Sequence, residues 1–251
     1  MGDGDTIIDS GFVKTRKKIQ NKITVGNGSA KTALAILADS ITHDVTVNKN
    51  AQLDLIQGTL THAISGEGVT GISRGDVKSE AKINTEIYIE LGRKFEISAD
   101  NVGNTIHNRE GTVILSDGTL NKEILDFGSL VIDGDVISNE AISNNITIND
   151  GKSLKISVGN IDGVTSDITN NGTLTLTGKS TLGIGDPLNH RIKGSGKTII
   201  AGNISSIAPA IGKISNDMII NGGKSLQIIA SYIGWRKYFG SIQKCWWQYR
   251  Y

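Results

Sequence analysis

Cysteine is nearly absent: Cys245 is the only one in 251 residues. That excludes a disulfide framework and a cysteine-rich metal site, and it suits either a reducing cytosol or a long protein exported unfolded. An excess of either charge is also lacking. The 26 Lys and Arg offset 25 Asp and Glu to a net +1, so no field draws the chain to nucleic acid or to an anionic membrane. No apolar run reaches transmembrane length. The opening residues, MGDGDTIIDSGF, lack the basic and apolar regions of a signal peptide. Aromatics are 5 % and prolines number two, against 31 glycines. Glycine, Asn and Asp set among β-branched residues form a vocabulary of strands and turns. Helix-period stripes are scarce, and the best short helix candidate is Ala30 to Asp39, AKTALAILAD.

What the chain does have is internal repetition. ISNNITINDGKSLKI (142 to 156) and ISNDMIINGGKSLQI (214 to 228) align without a gap and agree at ten of fifteen positions. INTEIYIELGRKFEI (83 to 97) is a fainter third copy, and VTVNKNAQLDL (45 to 55) a fourth that keeps the alternation and loses the Gly. Between these copies falls a second unit: ITNNGTLTLTG (168 to 178), ILDFGSLVIDG (124 to 134), IHNREGTVIL (106 to 115) and IKGSGKTIIAG (192 to 202). In each, apolar residues alternate with period two, the signature of a strand with one buried face. A unit this short buries that face only by stacking on its neighbours. The interval from Ile168 to Ile192 suits one coil of a large solenoid. The expected fold is therefore all-β, a right-handed parallel β-helix (β-solenoid), with an antiparallel β-sandwich as the alternative.

The expected division is an N-terminal segment over 1–40 with a short helix and a first rung, solenoid repeats over 41–230, and an aberrant, poorly ordered tail over 231–251. The tail holds eight of the twelve aromatics, all three Trp and Cys245. That abrupt change suggests a frameshift or truncation, or a membrane-touching segment built on Arg236, Lys237, Lys244 and Arg250 beside Trp246 and Trp247.

Site candidates are few. Gly194-Ser195-Gly196-Lys197-Thr198 imitates the end of a phosphate-binding loop, which needs a first Gly, a preceding strand and a following helix. Arg191 stands where the first Gly belongs, and Ile199-Ile200-Ala201-Gly202 does not open a helix. The stretch reads instead as a turn-then-strand rung. Arg74, Gly75 and Asp76 form an integrin-type tripeptide, the one candidate binding motif, set against chance occurrence in a chain so rich in Gly and Asp. Asp3 and Asp5, and Asp133 and Asp135, read as solvated turn acids rather than calcium ligands. His43, His62, His107 and His190 are scattered, without the convergence zinc requires. Lys152 and Lys224 each recur in GKSL as a turn device. No row of Asp or Glu marks a polysaccharide-cleaving face, so no catalytic residue, metal or cofactor is expected.

The phrases ITNNGTLTLTG, GSGKTIIAGNI and ITINDGKSLKI resemble passenger-domain repeats of bacterial autotransporters, most of all the large surface antigens of rickettsial-type intracellular bacteria. The resemblance covers roughly residues 40 to 230. It implies a β-helix at the cell surface or secreted, exported through an outer-membrane barrel that this chain lacks. The expected role is non-enzymatic display or adhesion, with a host-cell receptor or neighbouring passenger repeats as partners. The alternatives are a β-helix enzyme acting on polysaccharide and a non-functional truncated remnant.

Overall fold

The computed structural model describes residues 4–161, 168–178, 186–187, 192–207 and 215–229. The expectations for the tail, Cys245, His190 and Asp3 lie outside these residues. The chain winds as a parallel β-solenoid of about ten coils. Among the described residues every strand pairing and bridge is parallel, which rules out the antiparallel sandwich.

Five sheets run along the stack among the described residues. Sheet I holds Thr6–Ile8, Ile23–Val25, Val45–Val47 and Ile64–Ser65. Sheet II climbs from Gly11–Thr15 to Ile124–Leu125, and sheet III from Gly58–Leu60 to Ile192–Lys193. Sheet IV runs from Gly118–Leu120 to Asp217–Ile220, and sheet V from Asp186–Pro187 to Ser225–Ile229. The first two coils visit sheets I and II alone; from Val45 on, each coil passes three sheet columns in turn and returns one level higher.

Alternation sends every second side chain into a shared interior. In sheet III, Val77, Phe95, Val113, Leu130, Ile146, Ile168 and Ile192 sit directly over one another, all buried. Leu154, Leu174 and Ile200 are fully buried as well. Each such side chain contributes about 2 kcal/mol of transfer free energy. The interval read from the sequence is one coil, since Ile168 pairs with Ile192.

Residues 30 to 39 depart from expectation. Thr32–Ile36 is a strand and only Ala38–Ser40 a short 3-10 turn. Strands Gly11–Thr15 below and Ala51–Leu55 above supply its backbone hydrogen bonds, and Leu34 and Ile36 point into the core. Tertiary pairing overrides the helix preference of an Ala-rich run. The solenoid consequently starts at Thr6, well before residue 41.

Three 3-10 turns, Ala38–Ser40, Ala99–Asn101 and Val158–Asn160, punctuate the stack at nearly even intervals. Each founds a new sheet on the coil above. Gly58–Leu60 lies over the first, Gly118–Leu120 over the second and Asp186–Pro187 over the third. Asp39 Oδ1 accepts the Thr59 N–H at 2.6 Å, and Asp100 Oδ1 accepts the Thr119 N–H at 2.8 Å, tying the first two new strands to their turns. Sheets I and II lapse in bridges at Val102 and Ile161, just beyond the second and third turns. The true repeat is thus the whole stretch from one 3-10 turn to the next, and it ends one sheet further round than it began. Its long strand appears as Thr32–Ile36 in sheet II, Lys94–Ser98 in III, Ser153–Ser157 in IV and Ser225–Ile229 in V.

Candidate functional site

Arg74-Gly75-Asp76 occupies the corner between strands Val69–Ile72 and Val77–Ser79. Arg74 is exposed, but the Asp76 carboxylate already accepts the Lys94 N–H of the next coil at 3.1 Å. One unit later Asp135 accepts from Ser153 Oγ at 2.7 Å, and two units later Asn203 accepts from Ser225 Oγ at 3.2 Å. Gly75, Gly134 and Gly202 precede these acceptors. An added Cβ at each would collide with backbone of the coil below. The structure thus places the Gly-Asp pair in a recurring corner device that joins coils.

Lys197–Ile200 is a strand of sheet IV with no helix after it. Thr198 is fully buried over Leu174. This rung fills the same place in its unit as Val69–Ile72 and Ser129–Ile132, which accounts for the phosphate-loop imitation. Asp133 accepts from Asn149 Nδ2 at 2.9 Å. His43 and His62 stack across adjacent coils at 6.1 Å. Among the described residues no group of three His, Cys, Asp or Glu is placed to hold a metal.

The sequence reading missed a cluster on the outer side of sheet II and the corner beside it. Tyr88 and His107 stand in register on successive coils, with Leu125 next in the same row. Their rings stack at 4.6 Å between centroids, 10° from parallel. The Arg109 guanidinium lies 4.7 Å from the Tyr88 ring centre, a cation–π distance, and 3.8 Å from Glu90 Oε1. His107 Nδ1 is 3.6 Å from Asp126 Oδ2. Tyr88 Oη donates to Glu86 Oε2 at 3.1 Å. Burial first, then the hydrogen bond to Glu86 and its charge, hold the Tyr88 phenol above its ordinary 10.0, against a downward pull from Arg109. Phe127 and Leu91 project beside the cluster, 82 % and 67 % exposed. With Glu110, and without Glu86 and Leu125, these residues line an open groove of about 490 Å³.

The other units show what the fold alone asks of these places. Where Tyr88 stands, they carry Thr24, Thr147 and Ile219; where His107 stands, Thr46 and Thr169. Arg109 answers to Asn48 and Asn171, whose N–H groups make the same bond to the coil below. Asp126 answers to Gly66 and Gly194. All three have positive φ, +71°, +116° and +111°, a conformation that Asp adopts only at a cost. Phe127 answers to Glu67 and Ser195. Five departures from the repeat meet on one flank, on three successive coils. A signal was present in the sequence: ILDFG against IKGSG already sets Asp and Phe opposite Gly and Ser.

The fold defines a class, the parallel β-solenoids. Comparison with known families, with curated proteins and with solved structures gives no match to this chain.

Proposed function

We propose that this chain is a non-enzymatic display scaffold of the autotransporter passenger type, adhesive at a bacterial surface or in secreted form. The repeat phrasing supports the type. A continuous aliphatic interior gives a rigid stack, and rigid stacks hold recognition groups at fixed positions. The observation that carries the reading is the flank of Tyr88, His107, Arg109, Asp126 and Phe127. Its side chains exceed what stacking requires, and Phe127 is left in solvent. Exposed aromatics beside a charged pair are typical of binding surfaces.

The test is attachment of beads coated with the purified chain to cultured host cells, against beads coated with an inert protein. Saturable attachment that soluble chain competes away is expected. Attachment no greater than the inert control refutes adhesion. Release of reducing ends from polysaccharides by the same preparation would favour the enzymatic alternative.

A further inference from the structure

We infer that the flank of Tyr88, His107, Arg109, Asp126 and Phe127 binds a neutral oligosaccharide; the inference rests on the display reading and specifies its ligand. The Tyr88 ring is covered by His107 and approached by Arg109, so it forms part of the wall. Phe127 offers the free ring, with Leu91 extending the apolar surface. A single free ring suits the apolar face of a pyranose. It does not make the several-walled cage a quaternary ammonium needs.

The polar groups fit hydroxyls. Arg109 donates, Glu90 and Asp126 accept, and a sugar hydroxyl does both. Glu86, Glu90, Glu110 and Asp126 bring four carboxylates against one guanidinium and one imidazole. This balance disfavours sulfated, phosphorylated or sialylated chains, which would meet like charge. The groove is open rather than enclosed, as a polymer lying across a surface requires. The Tyr88–His107 stack and the Arg109 contacts with Tyr88 and Glu90 hold these four side chains before binding, so less conformational entropy is lost on association.

The experiment measures binding of the full chain to a panel of linear neutral oligosaccharides (glucan, galactan and N-acetylglucosamine oligomers) and to heparin fragments and oligosialic acid. Phe127→Ser and Arg109→Asn install residues that other units carry at these places, so both variants should fold. The expected result is binding to a neutral chain, weakened about tenfold by Phe127→Ser, the weight of one stacked ring. Arg109→Asn should weaken it likewise, with unchanged circular dichroism. The inference is overturned if no neutral oligosaccharide binds, if the anionic chains bind more tightly, or if both variants bind as the parent does. Cell attachment that persists in Phe127→Ser without any glycan binding sinks this inference and leaves the adhesive reading standing. Glycan binding without cell attachment does the reverse.

Discussion

Alanine at the corner glycines separates a structural tripeptide from a displayed one. A Cβ on Gly75 would lie 2.6 Å from the Ile56 carbonyl oxygen and 3.0 Å from Gln57 Cβ. The Ile56 backbone is itself held by an N–H bond to Ile36 O at 2.9 Å, so it cannot retreat without breaking its own coil. Overpacking of this kind costs about 2 kcal/mol. Dragging Asp76 off the Lys94 N–H forfeits about 1 kcal/mol more. Gly75→Ala should therefore lose about 3 kcal/mol. Gly134→Ala, where the Cβ would meet the amide and carboxylate of Asp117, should match it. Gly151→Ala is the control. Its φ is +69° but nothing lies within 4 Å, so only the left-handed penalty of about 1 kcal/mol applies. Arg74→Ala, at an exposed side chain, should stay within about 0.5 kcal/mol of the parent. Urea unfolding followed by far-ultraviolet circular dichroism reads all four. Hydrogen exchange in Val77–Ser79 and Lys94–Ser98 locates the damage. A Gly75→Ala protein as stable as the parent, or more stable than Gly151→Ala, would refute the corner reasoning.

The same geometry bears on four other residues. Asp39→Ala and Asp100→Ala each strand one N–H of the founding strand of a new sheet, that of Thr59 or Thr119, and should cost about 1 kcal/mol, whereas Asp39→Asn keeps an acceptor and should cost less; urea midpoints check this, and no difference between Ala and Asn counts against it. Tyr88 keeps its proton to higher pH in the fold than in the unfolded chain. Its contribution is complete below pH 10.0 and is lost as pH climbs through the raised value; the near-ultraviolet difference between parent and Tyr88→Phe should show a phenolate appearing above 10.0, and titration below it refutes the assignment. Asp126→Gly returns this corner to the residue of the other units, so stability should hold or rise by up to about 1 kcal/mol while neutral-glycan binding falls; a clear loss of stability contradicts the strain.

Rungs are legible in sequence because their physics is local. Alternation at Leu174 and Leu176, or at Leu130 and Ile132, follows from period two, and Gly or Asn marks the corner. The gapless match of 168 to 178 with 192 to 202 is the stacking register itself. Ala30 to Asp39 misleads because alanine fits both a helix and the outward side of a strand, and only the neighbouring coils decide. The longer unit, from one 3-10 turn to the next, is hidden by coils of unequal length. VTVNKNAQLDL consequently aligns by eye with 142 to 156, although in space it fills the place of IHNREGTVIL. The aromatic flank is hidden for a related reason. Tyr88, His107 and Phe127 are isolated residues about a coil apart, and nothing but the register brings them together.

A repeat that closes one sheet further round behaves like the tread of a spiral staircase. Duplicating it lengthens the column and also swings the newest landing to another compass direction. Groups encoded at matching places in successive units therefore never form a vertical row. A flat partner pressed against one side therefore meets a different stretch of each unit it touches, as the flank does in joining Tyr88 of one unit to His107 and Asp126 of the next.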